Sequence, residues 1–298
     1  MRDWALATIA AGTEQVACFE AGGQLYRLEP LLARAGLPGQ RTVLGLFDDW
    51  ARATAALDAA QPGPADLAPA GRRLAPLLYP GKILCAGANY YGHLAEMGMP
   101  GAQKSAQRLF FFMKPPRNAV VGEGDTVHMP IGTAAFDWEI ELAAVIGTRA
   151  RNVGPGAAMD HVAGYTIGID FSARDHNRAP ETFYKLDWVA GKANDTCCPL
   201  GPRFVPARAL PEPQNTRLRL AVNGKPKQDD STADMIFSIA EQIAIASRIM
   251  TLDPGDVLLT GTPAGVGVPK GTFLAVDDQV DAEIDGIGRL AVRIQAPR

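Results

Sequence analysis

The sequence has few cysteines and histidines, little net charge and no long apolar run. None of its four cysteines stands in a C-x-x-C arrangement, which excludes the usual zinc framework and thiol redox motif and fits a reducing cytoplasm. The longest segments without a charged residue have 13 residues, too few to span a membrane, and no signal peptide is predicted. With 29 Lys+Arg against 32 Asp+Glu, a nucleic-acid partner is not expected.

Nucleotide-binding glycine motifs are also missing. The Gly-rich segment 260–267 lacks the Gly-Lys-Ser/Thr of a P-loop and the G-x-G-x-x-G of a dinucleotide fold. Its backbone amides could hold a carboxylate, although a tight turn is the simpler explanation. Lys192 lies in a stretch low in charge, where it would either face an anionic ligand or extend to the surface.

Short β-like runs separated by turns predict a mixed α+β fold that is mainly β. Residues 1–78 would form a small N-terminal α+β domain that ends in a proline-rich joint, and residues 79–298 a larger domain. One helix is clear, because apolar residues from Ile236 to Met250 recur at helical spacing. Ser231 and Asp234 have the form of a capping box at its start.

The most informative segment is an acidic run at residues 136–146. Strand alternation places Asp137, Glu139 and Glu141 on one face, with about 7 Å between neighbours. Carboxylates held side by side repel one another unless a cation or proton intervenes. A solvated strand face is nevertheless the usual fate of alternating acids.

A further acid, Asp170, ends an apolar run, and an acid there is seldom buried without a partner. Glu139, Glu141 and Asp170 offer oxygen ligands without Cys or His, a set that suits Mg²⁺, Mn²⁺ or Ca²⁺ rather than zinc. The alternative for Asp170 is a salt bridge with Arg174 or a turn cap.

Of the four histidines, only His93 has a carboxylate at helical spacing. His93 and Glu96 would share one face of a short helix, where the carboxylate would fix the imidazole tautomer and raise its basicity. An isolated H-x-x-E is also common by chance, and is more often an exposed polar pair. The remaining histidines are interpreted as structural or surface residues: His128, His161 and His176.

Taken together, these segments resemble the fumarylacetoacetate hydrolase family, in particular its acylpyruvase-like bacterial type. The resemblance covers about residues 80–298, and the motifs follow the family order. They are Gly87-Ala88-Asn89-Tyr90 with His93 and Glu96, residues 112–116, 137–142, 164–175, Gly191-Lys192, and residues 195–202, 252–256 and 260–267.

The resemblance implies a β-rich α+β fold with a small leading domain, a homodimer, and a divalent cation, Mg²⁺ with Mn²⁺ or Ca²⁺ as alternatives. The implied metal ligands are Glu139, Glu141 and Asp170. It also implies that His93 and Glu96 lie on a mobile segment that orders over bound substrate. The implied contacts to a small 2-oxo acid are Arg174, Asn177, Lys192 and Thr262. Asn177 departs from members that have glutamine there, which bears on the choice of substrate.

The resulting hypothesis is a hydrolase that cleaves a C–C bond of a 2,4-dioxo acid, such as an acylpyruvate or fumarylpyruvate. His93, oriented by Glu96, would deprotonate water, and Lys192 would stabilise developing negative charge. Alternatives within the fold are oxaloacetate decarboxylation or tautomerisation, and isomerisation or hydration of an unsaturated 2-oxo diacid, since all share a metal-stabilised enolate. The alternative of another class is a non-catalytic metal- or ligand-binding protein, against which the presence of both His93 and Glu96 argues.

Overall fold

The structure, a computed structural model, describes residues 4–298 of the chain, and most of its elements are strands. The strands are β1 (Ala5–Ala11), β2 (Glu14–Ala21), β3 (Gln24–Arg27), β4 (Arg72–Leu74), β5 (Ile83–Gly87), β6 (Phe110–Lys114), β7 (Val120–Val121), β8 (Thr126–His128), β9 (Phe136–Asp137), β10 (Ile140–Ile146), β11 (Val162–Ile169), β12 (Ser172–Ala173), β13 (Cys198–Pro206), β14 (Arg217–Val222), β15 (Lys225–Ser231), β16 (Val257–Leu259), β17 (Gln279–Ile284) and β18 (Gly288–Gln295). The helices are α1 (Leu28–Arg34), α2 (Trp50–Ala59), α3 (Tyr91–Glu96), α4 (Pro116–Ala119), α5 (Pro155–Ala158), α6 (Trp188–Lys192) and α7 (Ile239–Ile249).

Eleven strands form the main sheet, along the path β3-β2-β1-β13-β11-β10-β16-β5-β6, with β4 paired to β1 and β7 paired to β13. A second sheet has five strands in the order β15-β14-β17-β18-β8, and β12 pairs with β9 in a small ribbon. The predicted mixed, mainly β, α+β fold is confirmed. No helix in residues 4–298 is long and apolar enough to cross a membrane.

The central strands β10 and β11 are buried along their whole length. Alternate residues of β10 serve two different cores, as strand geometry requires. Ile140 and Leu142 pack with α7 and the five-stranded sheet, whereas Ala143 and Val145 pack with the N-terminal helices. The ends of β10 and β11 therefore lie in the interior, with a packed layer on each side.

The N-terminal strands join the main sheet directly. β1 pairs with β13 at Leu6 and Phe204, and the rings of Phe47 and Phe204 lie 5.8 Å apart, edge to face. The N-terminal residues thus share a core with the rest of the chain. The division into domains at residue 78 stays a prediction.

The predicted start of helix α7 is wrong. Ser231 is the last residue of β15, where it pairs with Arg217, and residues Thr232–Asp234 form a single 3₁₀ turn. The helix begins after Ser238, whose hydroxyl accepts the N–H of Glu241 while the Glu241 carboxylate accepts the N–H of Ser238. The sequence thus has two S-x-x-acid patterns: Ser231 ends β15 and its hydroxyl caps only the 3₁₀ turn, whereas Ser238 caps α7.

Candidate active site

Three of the acids converge at the ends of β10 and β11. Glu141 lies opposite Gly168 in the ladder, and the N–H of Asp170 donates to the carbonyl of Glu139 at 2.8 Å. One carboxylate oxygen from each of Glu139, Glu141 and Asp170 lies within 4.8 Å of the others. The three residues are at most 4% exposed, so a solvated strand face is ruled out. The structure thus brings together all three residues predicted as metal ligands, and their role as ligands stays a prediction.

Two cationic side chains, Lys192 and Arg174, contact this triad. Both were predicted from the sequence as substrate contacts. Lys192 Nζ lies 2.6 Å from Glu139 Oε2 and 2.7 Å from Asp170 Oδ2, so the lysine faces buried anions and does not extend to the surface. Arg174 Nη2 lies 2.5 Å from Glu139 Oε1. Glu139 is therefore flanked by positive charge on both of its oxygens.

A third cation, Lys114, was missed by sequence reasoning. It has no exposed surface, its Nζ lies 2.8 Å from Asp170 Oδ1, and it donates to the carbonyls of Phe171, Lys192 and Cys197. A lysine at the end of the apolar strand β6 was the available signal, because lysine is almost never fully buried unless paired.

Asp137 does not join the triad, although simple alternation places it on the same face. β9 ends at Asp137 and β10 begins at Ile140, so the acidic run is not one continuous strand. The Asp137 carboxylate accepts the N–H of Gly267 at 2.7 Å and pairs with Arg174 Nε at 3.0 Å. The alternative pairing of Arg174 with Asp170 is therefore wrong.

The three carboxylates differ in their affinity for protons. Burial alone would raise the pKa of Glu139, but Arg174 and Lys192 lower it to about 2. Burial, with repulsion from Asp170 and Glu139, holds the pKa of Glu141 well above its usual range. Burial also raises the pKa of Asp170, against the pull of Lys114 and Lys192.

The charge balance and the donor atoms of the triad indicate whether these residues fit a metal ion. The cations of the protein do not fully balance the third carboxylate, because Glu141 favours its protonated form. The donor set consists of carboxylate oxygens alone, which hard divalent cations prefer. A divalent cation held by Glu139, Glu141 and Asp170 therefore fits this site.

The predicted dyad forms on helix α3. His93 Nδ1 lies 3.0 Å from Glu96 Oε1, and His93 is only 8% exposed, so this is not an exposed polar pair. Since a carboxylate accepts, Nδ1 carries the proton and Nε2 is the basic atom. His93 also lowers the pKa of Glu139, which places the imidazole within electrostatic reach of the acidic triad.

The Gly-rich loop at 261–267 connects the two centres. Its amides donate to three carboxylates of the chain itself: Gly261 to Glu141 at 2.6 Å, Gly265 to Glu96 at 2.8 Å, and Gly267 to Asp137 at 2.7 Å. The expectation that these amides hold a carboxylate is met by the protein's own acids. Glycine is required at 265, where φ is +107° and a Cβ would lie 2.1 Å from a backbone carbonyl.

The two remaining predicted substrate contacts lie nearby, and their role stays a prediction. The Thr262 hydroxyl donates to the carbonyl of Ile140 at 2.8 Å and accepts from Gln228, so its hydrogen bonds hold the loop to β10. Asn177 Oδ1 is buried and has no hydrogen-bond partner among the described residues. A Cβ on Gly191 would lie 1.7 Å from this oxygen, so Asn177 packs directly against the helix that carries Lys192.

Known proteins resemble this chain over the part that contains these site residues. The family model described as "Fumarylacetoacetate (FAA) hydrolase C-terminal" matches residues 82–295. The mitochondrial oxaloacetate tautomerase fahd2 of Xenopus laevis is 40% identical over 220 residues, which cover 73% of this chain and 66% of that protein. The chain thus spans about two thirds of the length of this relative.

Solved structures share the architecture. The fumarylacetoacetate hydrolase of Exiguobacterium antarcticum superposes with a TM-score of 0.80 at 30% identity, over 98% of this chain and 99% of that one. The fumarylpyruvate hydrolase of Pseudomonas aeruginosa, in complex with Mn²⁺ and pyruvate, has a TM-score of 0.66 at 32% identity, over 76% and 93% of the two chains.

Proposed function

Because this chain belongs to the fumarylacetoacetate hydrolase family, we propose that it is a divalent-cation-dependent enzyme that interconverts the keto and enol forms of a short 2-oxo diacid such as oxaloacetate. The observation that carries the proposal is a buried histidine–carboxylate pair, His93 and Glu96, within electrostatic reach of a buried triad of carboxylates. The identity of 40% with an oxaloacetate tautomerase favours tautomerisation over the other reactions of an enolate.

Keto–enol interconversion moves one proton between C3 and the 2-oxo oxygen of the substrate. His93 Nε2 would accept the proton from C3 and return it to the oxygen, while Glu96 stabilises the imidazolium formed in between. A bound divalent cation would supply Lewis-acid stabilisation of the negative charge on the 2-oxo oxygen. Lys192 and Arg174 both contact Glu139 and would bind the carboxylate of the substrate.

The second candidate is hydrolytic C–C cleavage of an acylpyruvate. It is favoured by the likeness to the fumarylpyruvate hydrolase of Pseudomonas aeruginosa, whose structure holds Mn²⁺ and pyruvate. The same His93 Nε2 would then take a proton from water, and the products would be pyruvate and a carboxylic acid.

One experiment separates these activities. The purified protein is incubated in D₂O with Mg²⁺ or Mn²⁺ and either oxaloacetate or a set of acylpyruvates, and the products are followed by NMR and mass spectrometry. Faster approach to keto–enol equilibrium than in a protein-free sample, without loss of carbon, supports the tautomerase. Release of pyruvate from an acylpyruvate supports the hydrolase.

Variants of the triad and the dyad serve as controls. Glu139→Gln is expected to weaken Mg²⁺ or Mn²⁺ binding in calorimetry, whereas His93→Ala is expected to keep the metal affinity and lose turnover. Binding of metal and 2-oxo acid with no turnover of any substrate would overturn both activities in favour of a binding protein.

A homodimer in the cytoplasm stays part of the proposal. Sedimentation equilibrium measures the mass in solution, and a monomer would contradict the dimer. The Xenopus laevis relative is named as mitochondrial, so imaging of the tagged chain in its own cells tests the location.

A further inference from the structure

Helix α3, which carries His93 and Glu96, does not cap its own start. Its N-cap residue is Tyr90, whose side chain makes no capping hydrogen bond. The first N–H groups of a helix have no partner within the helix and need an acceptor from elsewhere. Here the N–H of Gly92 donates to Oδ2 of Asp234, 142 residues further along the chain, at 2.7 Å.

We propose that Asp234 is a positioning residue: it fixes the start of α3 and thereby the place of His93 relative to the acidic triad. Its effect on the reaction rests on the proposed function, whereas its effect on the helix does not. Asp234 ends the 3₁₀ turn Thr232–Asp234, outside the glycine-rich loop and the triad.

Glycine at position 92 allows the Asp234 carboxylate to approach the backbone of α3 closely. A Cβ at position 92 would lie 3.1 Å from Asp234 Oδ2, so a larger residue than glycine would push the carboxylate away from the N–H. A carboxylate at the first turn is also favoured by the positive end of the helix dipole. Both effects hold the carboxylate and the start of the helix in one arrangement.

A short helix depends on such external contacts. α3 has six residues, far fewer than a helix needs to be stable alone. Its last residue, Glu96, accepts the N–H of Gly265 at 2.8 Å, so the C-terminal end is held by the Gly-rich loop. Asp234 is the matching contact at the other end, and residue His93 lies between these two ends of the helix.

Neighbouring contacts hold the segment of Asp234 rigidly against the start of α3. The N–H of Ile236 donates to the carbonyl of Asn89, and the Asn89 side chain exchanges two hydrogen bonds with the backbone of Phe237, at 2.9 and 3.0 Å. Asn89 Nδ2 also donates to the carbonyl of Thr260, next to the Gly-rich loop. Asp234 is therefore anchored to the same framework that positions Glu141 and Glu96.

The test compares three variants of the full chain. Asp234→Ala removes the acceptor, and Asp234→Asn keeps an amide oxygen without the charge. Asp229→Asn is the matched control, because Asp229 lies five residues earlier on β15 and its exposed carboxylate pairs with Arg217 at 2.7 Å, away from the start of α3. Hydrogen exchange of the amides at 92–97, Mg²⁺ affinity by calorimetry, and kcat and KM on the active substrate are measured for each.

We expect Asp234→Ala to raise exchange at residues 92–97 and to lower kcat, each about tenfold or more, the loss typical when an N–H loses a charged acceptor. KM and the dissociation constant for Mg²⁺ should stay within about threefold, since binding groups are untouched. Asp234→Asn should fall between the wild type and Asp234→Ala, and Asp229→Asn should match the wild type.

Unchanged exchange at 92–97 in Asp234→Ala would overturn the inference, as would an equal loss of kcat in Asp229→Asn. A loss seen in KM or metal affinity with kcat retained would also overturn it, because that pattern marks a general structural defect. If Asp234→Ala does not fold, Asp234→Asn decides by the same criteria. If the wild type turns over no substrate, the proposed function fails, while the exchange data still decide whether Asp234 fixes the helix.

Discussion

Replacing Lys114 by methionine tests whether a buried ammonium holds the acidic site together. Lys114 Nζ has no contact with solvent, lies 2.8 Å from Asp170 Oδ1, and donates to three carbonyls at 2.6 to 2.9 Å. Methionine fills a similar volume without donors. The change therefore leaves Asp170 with Lys192 as its remaining cationic contact and removes the donor from three buried carbonyls.

The magnitude follows from the loss of one partner of a buried ion pair, which typically costs about 3–5 kcal/mol. The three carbonyls left without this donor add to the loss, but not additively, because one atom serves all of them. We expect the free energy of unfolding to fall by about 4 kcal/mol. At roughly 2–4 °C per kcal/mol for a large domain, the melting temperature would fall by about 8–16 °C.

Thermal and urea unfolding measure this loss, with Lys104→Met as the control. Lys104 also contacts a carboxylate, Glu241 at 2.6 Å, but its side chain is 40% exposed, and such pairs contribute about 1 kcal/mol or less. Equal losses in the two variants would refute the reasoning. The double variant Lys114→Met/Asp170→Asn should lose less than the sum of its parts, because it also removes the carboxylate charge that Lys114 partly balanced.

Three further predictions concern the dyad and the substrate contacts. His93→Ala should lower kcat by about 10²–10⁴ while calorimetry shows unchanged Mg²⁺ affinity, and near-wild-type turnover would rule out His93 as the base. Burial would raise the pKa of Glu96, but His93 and the amides of Gly265 and Val266 lower it below its usual 4.5. The ionised carboxylate therefore stabilises the fold above pH 4.5, and this stabilisation is lost as the pH falls through the lowered pKa. Glu96→Gln should therefore show a shallower decline in the free energy of unfolding below pH 4.5, and identical acid limbs would contradict this. Gly191→Ala places a Cβ 1.7 Å from Asn177 Oδ1, so Asn177 must move and KM should rise at constant metal affinity; an unchanged KM would mean that Asn177 does not contact substrate.

Features that depend on local spacing could be predicted from the sequence. The i, i+2 spacing of Glu139 and Glu141 and the i, i+3 spacing of His93 and Glu96 put each pair on one face, and the structure has both arrangements. Local spacing failed where tertiary pairing intervened. Ser231 has the pattern of a helix cap but is used in the ladder of β15, so α7 starts at Ser238 instead.

Features that depend on distant contacts were visible only in the folded chain. Lys114 lies 57 residues before the carbonyl of Phe171 that it binds, and Asp234 lies 142 residues after Gly92. Nothing in the spacing of these residues marks them as partners. The Gly-rich loop shows the same limit, since its motif allowed a carboxylate partner beside the simpler explanation of a tight turn, and only the structure shows which carboxylates its amides bind.

The sequence alone determined the chemical inventory of this protein: three acids predicted as metal ligands, one histidine–carboxylate pair, and the order of motifs that identifies the family. Tertiary structure decided how those charges coexist. Burying Glu139, Glu141 and Asp170 together is unfavourable unless cations and backbone donors meet them, and these donors come from β6, α6 and the Gly-rich loop. The sequence could not show this, because the strength of an ion pair depends on the distance between the charges and on their burial, and both are set only when the sheet has formed.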